Sequence, residues 1–293
     1  MKILITGSTG QVGHALTKNL TSHQIVALTR KDCNLNKPDE IKRIIDQHLP
    51  DLIINSAAYT NVDQAEIDTQ QAYRINCDAP KVMAQKAYEC DIPLIHFSTD
   101  YVFNGEKYCS YEEDDVTQPL GVYGKSKLAG ENAIKEIGGQ FYIFRTSWVY
   151  SNIGNNFFLT MKKLSEEKDK LKIVSNQYGV PTSNYFIARQ LNKIIPLIDK
   201  DNMGIYHLVP DGSCSWYEFA KKIIGKSNPN YNLTKISPID FNKYKTKTKT
   251  KTKTKTKTKR PQNSILSNQK VKQVFMLKFK DWETELEQLI YET

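Results

Sequence analysis

The chain has 293 residues, 39% hydrophobic and 25% charged, which supports a sizeable buried core and excludes a disordered or collagen-like polymer. Its formal charge of +9 misleads: between Lys243 and Arg260 stand nine Lys and one Arg with no acid, and elsewhere 31 basic residues meet 32 acidic ones. No nucleic-acid surface is expected outside that run.

In chain order, apolar runs of strand length alternate with amphipathic stretches. Strands are expected at residues 2–6, 24–28, 51–56, 92–98 and 141–146, and helices at 11–21, 38–48, 64–89 and 125–136. Continuous apolar runs such as Leu52-Ile53-Ile54 suit strands covered on both faces, hence a parallel sheet. The first 150 residues therefore read as a doubly wound, Rossmann-like α/β domain. Beyond Trp148 the rhythm loosens: helices are expected at 156–168, 185–198 and 215–224, strands at 171–174 and 205–209, and a closing helix near 282–291. Residues 151–293 are expected to form mainly a smaller substrate-binding lobe, with parts of 171–209 returning to the sheet. Lys and Thr alternate strictly over 245–259, and like charges on every second residue would repel along one face. That run reads as a disordered, solvated loop, and deleting residues 246–258 is expected to keep activity within a few-fold.

Five cysteines (Cys33, Cys77, Cys90, Cys109, Cys214) at wide, unpaired spacings suggest neither a disulfide framework nor a zinc site, and fit a reduced cytoplasm. The five histidines show no ligand spacing, so no metal is expected. The opening apolar run, Ile3-Leu4-Ile5, is too short for a signal sequence, and no later run reaches membrane-spanning length, so neither secretion nor membrane association is expected.

Three constellations carry chemistry. The first strand ends in Gly7-Ser8-Thr9-Gly10-Gln11-Val12-Gly13 and runs into a helix, so the loop can approach a pyrophosphate while the helix N-terminus offers it free N–H groups; the alternative is a tight turn without a ligand. At the end of the second strand stand Thr29, Arg30 and Lys31, with no acid before Asp32. A cation there accepts a 2′-phosphate, which favours NADPH while leaving NADH possible; these cations also fit a plain solvated face. Asn34 and Leu35 would lie near the adenine. Third, Ser98-Thr99-Asp100 closes the fourth strand and is followed by Tyr123-Gly124-Lys125-Ser126-Lys127, with Tyr and Lys on one helical face. An ammonium beside the tyrosine is expected to lower its pKa from about 10 into working range.

These stretches, with Asn55-Ser56-Ala57-Ala58-Tyr59-Thr60-Asn61-Val62-Asp63, Phe144-Arg145-Thr146-Ser147-Trp148, Gln177-Tyr178-Gly179-Val180-Pro181-Thr182 and Arg260-Pro261-Gln262-Asn263-Ser264, resemble the extended short-chain dehydrogenase/reductases, and within them the dTDP-4-dehydrorhamnose reductases, nearly end to end. The resemblance implies reduction of the C4 ketone of dTDP-4-dehydro-L-rhamnose to dTDP-L-rhamnose with NADPH or NADH. It makes Tyr123 the proton donor, Lys127 its partner and a ribose ligand, and Thr99 the hydroxyl that orients the carbonyl, beside Asp100. Ala57, Ala58, Tyr59 and Thr60 would flank the cofactor. Trp148 would wall the sugar, unless it is simply core, and Asn155, Asn156, Gln177, Thr182 and Arg260 would contact the nucleotide sugar. Related 4,6-dehydratases place Asp and then Glu after the strand-end Thr; Tyr101 follows Asp100 here, which argues for a simple reductase. Family members bridged by a metal carry a carboxylate just after the glycine loop, where this chain has His14-Ala15. Other dTDP- or UDP-linked substrates stay open, as does a silent regulatory subunit of the methionine adenosyltransferase β type. The resemblance leaves the oligomeric state undetermined, a homodimer included.

Overall fold

The computed structural model describes residues 1–243 and 258–291. The run over 245–259 lies, except for its last two residues, outside the described residues.

The first half alternates strand and helix: β1 (Lys2–Thr6), α1 (Gln11–Asn19), β2 (Gln24–Leu28), α2 (Pro38–His48) and β3 (Leu52–Asn55). Where one helix was expected over 64–89, the chain makes α3 (Val62–Ala65), α4 (Thr69–Tyr73), a wide π turn (Arg74–Asp78) and only then α5 (Ala79–Glu89). The break has a local cause. The π turn brings Asn76 inward, where its Oδ1 accepts from Tyr59 N and its Nδ2 donates to Tyr59 O and Ser126 Oγ, satisfying the segment that leaves β3. β4 (Leu94–Thr99), α6 (Val122–Ile137) and β5 (Phe141–Thr146) follow.

The second half contains β6 (Val149–Tyr150), α7 (Phe157–Glu167), β7 (Leu171–Val174), β8 (Tyr178–Gly179), β9 (Thr182–Ser183), α8 (Asn184–Ile194), β10 (Gly204–His207), β11 (Cys214–Ser215), α9 (Trp216–Ser227), β12 (Ile236–Ile239), α10 (Gln269–Val274) and α11 (Trp282–Tyr291). Six strands form one sheet in the order β10-β5-β4-β3-β1-β2, every pair parallel. The central strands are buried along their length, as their unbroken apolar runs require. One apolar cluster joins the sheet to α1 and α8, and a second joins it to α2, α5 and α6, so helices cover both faces. From β1 the chain steps outward to β2 and then back across to β3, so the crevice between β1 and β3 is the switch point where ligands of such sheets bind. A third cluster, around Tyr150, Phe158, Phe219, Trp282 and Leu286, is the core of the C-terminal part. No described helix is long and apolar enough to cross a membrane.

Candidate active site

A cavity of about 870 Å³ opens over the carboxyl ends of β1 to β5, at the switch point. Its wall begins with the glycine loop. Gly7 has φ +72°, and a Cβ on it would sit 2.8 Å from the Ala57 backbone. A Cβ on Gly13 would sit 2.2 Å from Gly7 O, so only glycine lets α1 start this close to β1. Gly7, Gly10, Gln11 and Val12 line the cavity, whereas Gly13 is buried beneath it as a packing contact. Gln11 is also a brace: its Oε1 accepts from Ser151 Oγ (2.8 Å) and Asn156 Nδ2 (2.9 Å), and its carbonyl accepts from Asn184 Nδ2.

Along the β2 edge, Arg30, Asn34 and Leu35 line the wall, and Ala57 and Ala58 line it beyond β3. Arg30 is exposed and lies also on an adjoining depression with Asn36, Tyr59 and Arg74. Tyr59 faces that depression rather than the main cavity, with its hydroxyl donating to Asp68 Oδ2 at 2.9 Å.

On the far side, Thr99, Asp100, Tyr123 and Lys127 meet in one wall. Because α6 begins at Val122, three residues before the expected start, Tyr123 sits in its first turn and Lys127 one turn on. Thr99 Oγ1 donates to Asp100 Oδ1 at 3.0 Å and accepts from Tyr101 N. Burial pushes the Asp100 carboxyl up to about 7, against the pull of hydrogen bonds from Ser264 and Thr99. The Tyr123 ring stands edge-on to Tyr101, with centroids 5.7 Å apart.

The tyrosine departs from the sequence expectation. Burial pushes its hydroxyl up to about 12, the Thr99 hydrogen bond opposing and Asp100 adding to the rise. Lys127 spends its Nζ elsewhere, donating to Phe97 O at 2.6 Å and lying 3.1 Å from His96 Nε2. The same burial brings the lysine down to about 8, despite Glu131 nearby. Tyr123 is thus a neutral phenol at pH 7, a form that gives a proton.

The aromatic wall was only half legible. Trp148 lines the cavity, held at φ +45° in the left-handed region that costs a non-glycine residue about 1–3 kcal/mol. Its ring stacks on Trp216, centroids 3.5 Å apart and 8° from parallel, and Phe157 lies tilted against Trp216 with centroids 4.5 Å apart. Trp216 lies far along the chain at the start of α9, and nothing in the sequence pattern singled it out.

The remaining candidates divide. Asn155 is on the wall, as is Thr60. Asn156, Gln177 and Thr182 are absent from it, because their side chains serve the protein: Asn156 caps α7 and holds Gln11, Gln177 Nε2 points to Pro261 O, and Thr182 Oγ1 donates to Val180 O. Arg260 forks onto both oxygens of Asp63 at 3.1 Å, next to the wall residue Val62.

The profile of the RmlD substrate binding domain family matches residues 1–293. A dTDP-4-dehydrorhamnose reductase of Burkholderia thailandensis is 37% identical, over 96% of this chain and 95% of that protein. Two crystal structures of dTDP-4-dehydrorhamnose reductases are each 33% identical, covering 100% of this chain and 99% of theirs. One, from Bacillus anthracis in complex with NADP, superposes with a TM-score of 0.89, and the other, from Clostridium acetobutylicum, with 0.90.

Proposed function

The chain belongs to the RmlD substrate binding domain family, and from that premise we propose that it is an NADPH-dependent reductase converting dTDP-4-dehydro-L-rhamnose to dTDP-L-rhamnose, a step of nucleotide-sugar biosynthesis. The observation that carries this reading is the convergence of Thr99, Tyr123 and Lys127 on the cavity that the glycine loop opens.

The residues fit a dinucleotide. The loop packs so tightly that a Cβ at Gly7 or Gly13 would collide with backbone, α1 turns its N-terminus toward the space above, and Arg30 stands where a 2′-phosphate would be read. The cofactor supplies the hydride. The chain's own residues do the rest. Tyr123, protonated at neutral pH, donates its hydroxyl proton to the oxygen at sugar C4 as negative charge builds there. Thr99, held by Tyr101 N, turns its hydroxyl proton from Asp100 Oδ1 to the same oxygen when the sugar is bound. Lys127 holds the ribose end, and the Trp148–Trp216 stack gives the sugar a flat apolar wall. Residues 1–150 would bind the cofactor and most of 151–293 the nucleotide sugar, with Asn155 and the guanidinium of Arg260 nearest the substrate end.

Product identification tests the assignment directly. With NADPH and a panel of dTDP- and UDP-linked 4-keto-6-deoxy sugars, dTDP-L-rhamnose is the expected product and the dTDP-linked ketone the preferred substrate. Failure to oxidise NADPH with any of them would sink the reading and return the chain to a non-catalytic role.

Two substitutions probe the ends of the cavity. Arg30→Asp is expected to move the ratio of kcat/KM from NADPH toward NADH, because a carboxylate repels a 2′-phosphate and accepts from a 2′-hydroxyl. An unchanged ratio would mean that Arg30 does not read the ribose. At the other end, a Cβ on Gly179 would lie 2.5 Å from Trp148 Cε2, so Gly179→Ala must displace that ring. The sugar-nucleotide KM is expected to rise roughly tenfold, about 1.4 kcal/mol, with NADPH affinity unmoved. Equal KM values would remove Trp148 from the sugar site.

A further inference from the structure

Beneath the candidate active site, four buried polar side chains from four elements form one line: Thr6 on β1, Asn55 on β3, His96 on β4 and Lys127 on α6. Its protons can be assigned by starting from a group that has no choice. The Ala57 backbone N–H donates to Asn55 Oδ1 at 3.2 Å, and Thr6 Oγ1 donates to the same oxygen at 2.7 Å. The oxygen of the Asn55 amide is thereby identified, and its nitrogen must face His96 Nδ1, 3.0 Å away. An amide nitrogen only donates, so Nδ1 accepts, and the neutral imidazole carries its proton on Nε2. That Nε2–H points at Lys127 Nζ, 3.1 Å off. An ammonium also only donates, so this contact is satisfied when the lysine offers a lone pair.

We propose that His96 is a positioning residue for the reduction: locked in its Nε2–H tautomer by Asn55, it aims a donor at Lys127 and makes the lysine a titrating amine instead of a permanently charged group. This rests on the reading of Lys127 as the ribose-holding partner of Tyr123. The other groups around Nζ do not cancel the effect. Glu131, one turn further along α6, favours the ammonium, but its carboxylate is engaged by Arg145 Nε and Nη2 from β5 (3.0 and 2.7 Å) and by the Ser98 hydroxyl. Tyr123 and Asp100 face the cavity side, and the Phe97 carbonyl accepts one proton of Nζ in either charge state. Burial alone lowers the affinity of Lys127 for its proton; the histidine adds a directed donor that a merely apolar neighbour would not.

The tautomer can be read without turnover. In ¹⁵N-histidine NMR of the free enzyme, with His96 assigned by its loss in His96→Gln, Nε2 is expected to show the protonated-nitrogen shift and Nδ1 the bare-nitrogen shift from pH 6 to 9. A proton on Nδ1 would overturn the proposal whatever the enzyme's substrate proves to be.

Kinetics then test the consequence. The wild-type kcat/KM is expected to fall as pH rises through about 8, where the lysine loses its charge. His96→Gln can turn a carbonyl to Nζ, which favours the ammonium and moves that limb alkaline by about one unit. Asn55→Asp, which must accept from Nδ1 and so frees the Nε2 lone pair for the lysine, moves it the same way. A lower rate with an unmoved limb in both variants would make His96 structural only and refute the assignment. If neither variant folds, His96 is assigned by through-bond correlation to its own backbone amide, and the wild-type spectrum still decides.

Discussion

Tyr123→Phe is expected to lower kcat by at least about a hundredfold, the scale on which a general acid contributes, while NADPH affinity and folding stay nearly unchanged. The substitution removes one oxygen atom and leaves the ring against Tyr101. Its cost should fall on the transition state, because the alkoxide that develops at sugar C4 loses its proton source whereas the bound ketone needed none. The position of the tyrosine sharpens the point. With its hydroxyl pushed up to about 12, it is protonated across the neutral range, and the wild-type rate should show no alkaline limb from Tyr123 itself in that range. Turnover and NADPH titration measured on the same preparation separate the outcomes. Retention of more than a third of the wild-type kcat at saturating substrate would take the acid role away from Tyr123, and weakened NADPH binding with unchanged kcat would make it a binding group.

How much of this could be read from the chain alone follows from distance along the chain. The glycine loop and the Tyr123–Lys127 pair are local: strand, turn and helix lie next to one another, and a spacing of four fixes a shared helical face. Parallel strands buried on both faces announce themselves as unbroken apolar runs, so β1 and β3 to β5 fell close to their expected places. What failed to show was built from remote partners. The apolar periodicity over 64–89 reads through the π turn, whose reason is an amide bonded to Tyr59, 17 residues away. His96 looks like a core histidine until it is found beside Asn55, and Trp216 like a helix-start aromatic until it stacks on Trp148. Asn156, Gln177 and Thr182 stand off the cavity wall for a similar reason. Polar residues in a motif read as ligand contacts, but their partners here are a helix end and two carbonyls, which only the folded chain reveals.

Arg145→Met is expected to destabilise the protein by about 3–5 kcal/mol, because it leaves a carboxylate in the core without its partner. Arg145 and Glu131 are 2% and 1% exposed, and the guanidinium grips both oxygens. Its third nitrogen donates to Glu113 O at 3.1 Å, and its Cζ lies 5.2 Å from the Phe103 ring centre. Methionine replaces the stem but none of these bonds, so Glu131 keeps only the Ser98 hydroxyl. The melting temperature should fall by on the order of 10 °C. Most of that loss comes from the stranded charge rather than from the pair's net worth, since desolvating both ions offsets much of their attraction. The double variant Arg145→Met/Glu131→Leu is therefore expected to regain most of the stability. It also separates two roles. Glu131 lies one turn beyond Lys127 and favours the lysine's ammonium, so a double variant that melts near wild type should bring the alkaline fall in kcat/KM to a lower pH. Recovered stability with an unmoved pH limb would restrict the pair to holding α6 against β5. Failure of the double variant to regain stability would show instead that the hydrogen bonds to Ser98 and the Glu113 carbonyl, and not the isolated charge, carry the cost.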